Sequence, residues 1–202
     1  MASLQELLYE AQQTNSPQAY TQIARMYSSG NGAPKDFSKA LTYFKKAADL
    51  GSLDAQVSVG YFYYNGHGIA VNHKMAKQYW KMAADQGSTE AMRNLGWMCY
   101  KKEYGFLADK GKAFEFWMKA SKLGDAESQN YVATSYMGDN WGEEKSYRKA
   151  AFWFMCSYQN RNATDAQIKA ARDALNKLSN YVNLDSIKHE VVTKYPHYIN
   201  LK

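Results

Sequence analysis

Four consecutive stretches of this chain repeat one another in chemistry, at residues 16–51, 52–87, 88–124 and 125–160, with lengths of 36, 36, 37 and 36. A period of this size constrains the fold more than any other feature. About 36 residues hold two short helices, which bury an apolar face only by stacking on neighbouring copies. The second half of each copy carries an alanine, Ala40, Ala76, Ala113 and Ala150, with an aromatic four residues on, Phe44, Trp80, Trp117 and Phe154. Three further on stand Ala47, Ala83, Ala120 and Ser157. Steps of four and three place these on one helix face. The first half carries a bulky residue followed by a tiny one: Ile23-Ala24, Val59-Gly60, Leu95-Gly96 and Val132-Ala133. Four past the bulky residue come Tyr27, Tyr63, Cys99 and Tyr136.

The punctuation repeats as well. Ser16, Ser52, Ser88 and Asp125 are N-cap residues for the first helices, and Asp36, Asn72, Asp109 and Ser146 for the second. Their short side chains accept bonds from the free N–H groups of a first turn. Asp54, Glu90 and Glu127 add negative charge at the favourable end of the helix dipole. Gly51, Gly87 and Gly124 close the second helices, and Asn160 is read as the left-handed C′ residue of the last. Outside the repeats, Leu4, Leu7, Leu8 and Ala11 form an apolar stripe on an N-terminal helix capped by Ser3. Ile168, Ala171, Leu175 and Leu178 form another over 165–178, and a last helix spans 185–195 before Pro196. The expected architecture is all-α: a single repeat domain over 1–202, a right-handed α-α superhelix. It has a cap helix at 3–15, four helix-turn-helix repeats, and a degenerate C-terminal helix pair at 161–202.

The pattern resembles the Sel-one-like repeat, a relative of the tetratricopeptide repeat, with signature A-x3-L-G-x2-Y-x2-G-x-G and then D-x2-K-A-x2-W-x2-K-A-A-x2-G. The second copy carries Ala55, Val59-Gly60, Tyr63, Gly66, Gly68, Ala76, Trp80, Ala83-Ala84 and Gly87. The first carries Ala19, Ile23-Ala24, Tyr27, Gly30, Gly32, Asp36, Lys39-Ala40, Phe44 and Gly51. The third places Cys99 at the tyrosine position and rebuilds its turn; the fourth diverges most, with Ser128 for alanine. The resemblance implies an α-solenoid that serves as an adaptor or scaffold, and it names no partner.

Such solenoids present a concave surface lined by the first helices. Two and five residues past the bulky core residue, candidates for that surface are Arg25, Tyr61, Trp97 and Thr134, then Ser28, Tyr64, Tyr100 and Met137. Two before it are Val57, Arg93 and Asn130, with Thr21 in the first copy. Tyrosine, tryptophan and arginine dominate binding hot spots, so these positions are expected to form an aromatic and basic groove for a peptide or protein with an acidic or aromatic-accepting surface. The competing reading packs the same rings between adjacent first helices.

Other classes find little here. His67, His73, His189 and His197 form no catalytic or metal-binding spacing, and Gly30-Asn31-Gly32 recurs with the repeat and is read as a turn. No catalytic residue, metal or cofactor is expected. No apolar run approaches the ~20 residues of a membrane span. With no signal-peptide pattern and two cysteines, Cys99 and Cys156, the expected setting is cytoplasmic. The leading functional expectation is a non-enzymatic protein-binding scaffold or adaptor. A bacterial immunity protein that neutralises a toxin is the alternative, by family analogy. Nucleic-acid binding through lysines such as Lys39, Lys45 and Lys119 ranks last: the net charge is +6, but no readout motif accompanies it.

Overall fold

A computed structural model describes residues 2–101, 108–138 and 144–196. The turns of the third and fourth repeats at 102–107 and 139–143, and His197, lie outside these. The described residues form eleven α-helices: α1 Leu4–Thr14, α2 Pro17–Ser29, α3 Phe37–Asp49, α4 Leu53–Asn65, α5 His73–Asp85, α6 Thr89–Tyr100, α7 Lys110–Lys122, α8 Ala126–Ser135, α9 Tyr147–Gln159, α10 Asp165–Leu178 and α11 Leu184–Lys194. They fall into two compact units, Met1–Ala91 and Met92–Lys202, the division lying within α6.

The helices start where side-chain chemistry starts them. Ser16, Ser52, Ser88 and Asp125 accept from the backbone N–H three residues on, at 3.2, 3.3, 3.2 and 2.7 Å. Asp36, Asn72, Asp109 and Ser146 do the same for the second helices. Each of these four caps also donates its own N–H to the carbonyl of the tyrosine-position residue of the preceding helix. Asp36 bonds Tyr27 at 2.9 Å, Asn72 bonds Tyr63 at 2.8 Å, Asp109 bonds Cys99 at 2.8 Å, and Ser146 bonds Tyr136 at 2.9 Å. This bond closes every hairpin through backbone alone, so the third repeat holds its hairpin with a cysteine in place of the ring. Ser3 caps α1 in a capping box with Glu6.

Gly51, Gly87 and Gly124 have φ of 86°, 94° and 88°. The N–H of the residue after each reaches back to Ala47, Ala83 or Ala120 at 3.0–3.1 Å, closing the second helix. The expectation for Asn160 is corrected: its φ is −71°, in extended backbone. Its buried side chain instead donates to the Gly124 carbonyl at 2.8 Å and to Gln129 Oε1 at 3.1 Å, and its Oδ1 accepts from Asn162 N–H. Asn160 therefore works as a buried linker. The left-handed asparagine is Asn15, φ 51°, which ends α1.

In the first unit α2 packs on α3 and α4 on α5, with α3 against α4 and α1 against α2. In the second, α7 packs on α8, α8 on α9, and both α10 and α11 on α9. The core of the second unit runs through Phe114, Trp117, Val132, Phe154, Leu175, Leu178, Ile187 and Val191. α10 and α11 thus cover an apolar face that a further repeat would otherwise cover. Cys156, in this core, is a free thiol whose pKa burial pushes well up.

Candidate partner-binding face

The first helix of each repeat leaves one stripe in solvent. On α2 it is Gln18, Gln22, Arg25 and Ser29; on α4 it is Asp54, Tyr61 and Asn65, with Ser58 half-buried between them. On α6 the same face carries exposed Glu90 with half-buried Asn94 and Trp97, and on α8 exposed Thr134 with half-buried Glu127 and Tyr131. The spacings of three and four are those of one helix face.

The expected site residues divide by column. Arg25, Tyr61, Trp97 and Thr134 lie on this stripe. Tyr61 is 51% exposed, with its ring 5.8 Å from that of His67. Arg25 is exposed and pairs with Asp54 of the next first helix at 2.5 Å. An exposed pair of this kind contributes about 0–1 kcal/mol. Thr134 is exposed and bonds the Asn130 carbonyl at 2.8 Å. Trp97 is half-buried, with its ring 5.3 Å from Trp117, 5.1 Å from Tyr131 and 5.5 Å from Tyr100.

The other two columns lean into the stack. Tyr64 sits half-buried against His73 and Trp80, and Tyr100 against Trp117. Met137 packs on the core of the second unit, and half-buried Ser28 bonds its own helix at the Arg25 carbonyl. Val57 is buried, and its carbonyl accepts the Trp80 indole N–H at 3.1 Å. Arg93 is half-buried, and its carbonyl accepts the Trp117 indole at 3.2 Å. Its guanidinium is bound to Asp125 at 2.5 Å and Glu127 at 3.4 Å. Asn130 is half-buried and donates to the Gln167 carbonyl at 3.4 Å.

The sequence reading left out two columns of this stripe. One is acidic or amide, Gln18, Asp54, Glu90 and Glu127, whose three acids are treated there only as helix-dipole residues. The other is Gln22, Ser58, Asn94 and Tyr131. The Tyr131 hydroxyl donates to Glu127, and burial together with that carboxylate holds its pKa above the usual phenol value. In the second unit Arg93, Asp125, Glu127, Tyr131 and Trp97 therefore form one connected polar and aromatic cluster on the first-helix side. The signal that would have found these columns is the period itself: Gln22, Ser58, Asn94 and Tyr131 lie three residues before the +2 column, and Gln18, Asp54, Glu90 and Glu127 lie seven before it, two helical turns away.

The Sel1 repeat matches the chain four times, over residues 17–52, 53–88, 89–125 and 126–159. The chain belongs to the Sel1 repeat family. Sel1 repeat proteins generally mediate protein–protein interaction on a scaffold that is generally non-catalytic. Among solved structures, a Sel1 repeat protein from Oxalobacter formigenes is similar at TM-score 0.77 and 23% identity, over 96% of this chain and 77% of that one. The protective antigen c5321 of uropathogenic Escherichia coli, with the same repeat fold, is similar at TM-score 0.72 and 21% identity, over 96% of this chain and 44% of its own length. The immunity protein Pa5087 from Pseudomonas aeruginosa is similar at TM-score 0.51 and 18% identity, over 97% and 75%. No curated protein sequence matches. These likenesses establish the Sel1 fold. No helix among the described residues is long and apolar enough to cross a membrane.

Proposed function

We propose that this Sel1 repeat protein is a non-enzymatic scaffold or adaptor, and that its partner, a peptide or a protein loop, lies on the exposed stripe of the first helices. The observation that carries the reading is Tyr61. It holds 51% of its surface in solvent at a position where the fold asks for no ring, beside the charged pair Arg25–Asp54. Exposed aromatic and arginine side chains on a rigid surface are the usual anchors of a protein interface. The stripe carries both signs of charge, so the partner is expected to be aromatic-accepting and of mixed charge rather than purely acidic. Asp54 and Glu90 on the same stripe also count against a nucleic-acid backbone.

Tyr61→Ala is the test. Binding to a partner isolated from the source organism is expected to fall at least tenfold, with helicity by circular dichroism unchanged. Full retention of binding removes the stripe as the site. Trp97 is a poorer probe, because three rings pack on it.

A second reading, a toxin-neutralising immunity protein, draws on the fold likeness to Pa5087. Co-expression with a toxin encoded beside its gene tests it: rescue of growth, lost with Tyr61→Ala, supports it, and failure to rescue rejects it. A cytoplasmic setting is part of both proposals.

A further inference from the structure

The second helices of the first unit carry its positive charge. α3 and α5 hold six lysines against two aspartates, Asp49 and Asp85, whereas α1, α2 and α4 hold Arg25 against Glu6, Glu10 and Asp54. Asp85 is tied to Lys81 at 2.7 Å, and Asp49 lies in the field of Lys45. Lys46 and Lys74 are exposed, and neither meets a carboxylate among the described residues.

α3 and α5 differ along one stripe. On α3 it reads Lys39, Tyr43 and Lys46; 36 residues on, α5 places Met75, Tyr79 and Met82. Steps of four and three keep each trio on one helix face. The lysines of α3 lie over rings: Lys39 is 5.4 Å from Tyr27, and Lys46 is 5.5 Å from Tyr20 and 5.4 Å from Tyr43. The methionines of α5 instead line a cleft of about 530 Å³ with Tyr79, Asp49, Lys81 and Asp85. Met82 keeps 47% of its surface in solvent, at a position where the first and third repeats place Lys46 and Lys119. The stack therefore asks for no apolar side chain there. An unbranched thioether adapts its shape to an incoming apolar group and makes favourable contacts with aromatic edges.

We infer that the second-helix face of the first unit is a further docking surface, for an acidic protein segment that seats one large apolar side chain against Met75, Tyr79 and Met82. Lys46, one turn before Asp49 on α3, and Lys74, beside Met75 on α5, are placed to meet its carboxylates. A nucleic-acid backbone would meet the lysines but brings nothing to the methionines. The surface shares no residue with the first-helix stripe. It extends the adaptor reading to a second partner without depending on that stripe.

The probe is the blocked pentapeptide Glu-Glu-Phe-Glu-Glu, titrated at low salt into the full chain labelled with carbon-13 at its methionine methyls. The Met75 and Met82 resonances are assigned by their loss in Met75→Leu and Met82→Leu. Saturable shifts of both are expected at millimolar peptide or below. Glu-Glu-Ala-Glu-Glu is expected to leave both in place, and Lys-Lys-Phe-Lys-Lys to bind at least tenfold more weakly. Lys46→Gln with Lys74→Gln, a surface change, is expected to weaken binding of the acidic peptide at least threefold. Tyr61→Ala is expected to leave it unchanged, which separates failure of this face from failure of the stripe. No shift, equal shifts with the phenylalanine and alanine peptides, equal affinity for the acidic and basic peptides, or a double glutamine variant that binds as tightly each overturn the inference. So does binding lost with Tyr61→Ala, which moves the peptide to the stripe. An oligothymidine that shifts the same two methyls at lower concentration than the peptide overturns it in favour of a nucleic-acid surface.

Discussion

The second and third repeats solve the helix-packing problem differently from the first and fourth. In the second and third, the small residue of the first helix is Gly60 or Gly96, and the ring facing it is Trp80 or Trp117. The pyrrole part of the indole lies against the bare backbone: a Cβ on Gly60 would sit 2.4 Å from Trp80 Nε1, and one on Gly96 2.2 Å from Trp117 Nε1. Each indole N–H then reaches a first-helix carbonyl, that of Val57 at 3.1 Å or Arg93 at 3.2 Å. In the first and fourth repeats the small residue is Ala24 or Ala133 and the ring is Phe44 or Phe154, all buried. The methyl and the benzyl ring together occupy the place of the indole and its missing Cβ. Ring size and Cβ are thus exchanged as a pair. A repeat protein keeps one backbone while varying its core provided that the summed volume at each joint is kept.

The largest expected effect breaks this pairing from the glycine side. Gly60→Ala places a methyl into the indole, which cannot retreat without giving up its bond to Val57. Overpacking and loss of that bond are expected to outweigh the gain in helix propensity and to destabilise the chain by about 3 kcal/mol, read from urea unfolding. A change under about 1 kcal/mol would show that the joint has slack and that the pairing is incidental.

Next in size is the ring side. Trp80→Phe removes the hydrogen bond and leaves a gap beside Gly60, for an expected loss of about 2 kcal/mol. The informative variant is the double change, Gly60→Ala with Trp80→Phe, which writes the first repeat's solution into the second. It is expected to be more stable than Gly60→Ala alone, with a coupling of about 2 kcal/mol between the two positions. Simple additivity would refute the exchange.

Much of this fold is legible in the sequence because it is set locally. A capping side chain acts within three residues, and a C′ glycine within four or five, so all eight repeat caps and three of the four helix stops are read correctly from residue type. Asn160 is misread because its side chain bonds Gly124, 36 residues earlier, and Gln129; no local pattern carries that. The candidate face is legible in part. Period gives Arg25, Tyr61, Trp97 and Thr134 the same position on their helices, but depth depends on what crosses from the neighbouring helix. Tyr64 meets Trp80, and Val57 lies under the indole whose N–H it accepts. The ion pairs Arg25–Asp54 and Arg93–Asp125 link helices 29 and 32 residues apart, and they turn an apparent basic groove into a face of mixed charge.

The smallest effect comes from running the exchange the other way. Ala24→Gly removes a buried methyl and adds backbone freedom to the middle of α2, for an expected cost of about 1 kcal/mol from helix propensity and a little more from lost packing. Nothing in the first repeat answers that loss, because Phe44 has no N–H to offer and already meets Phe62 at 5.4 Å across the α3–α4 joint. Adding Phe44→Trp to Ala24→Gly gives an indole the bare backbone it needs and puts its N–H toward the Thr21 carbonyl, the counterpart of Val57. The pair is expected to regain part of the loss, while Phe44→Trp alone, with Ala24 in place, is expected to destabilise. If the single tryptophan is tolerated as well as the pair, the size of the residue after the bulky position does not govern which ring a Sel1 repeat accepts.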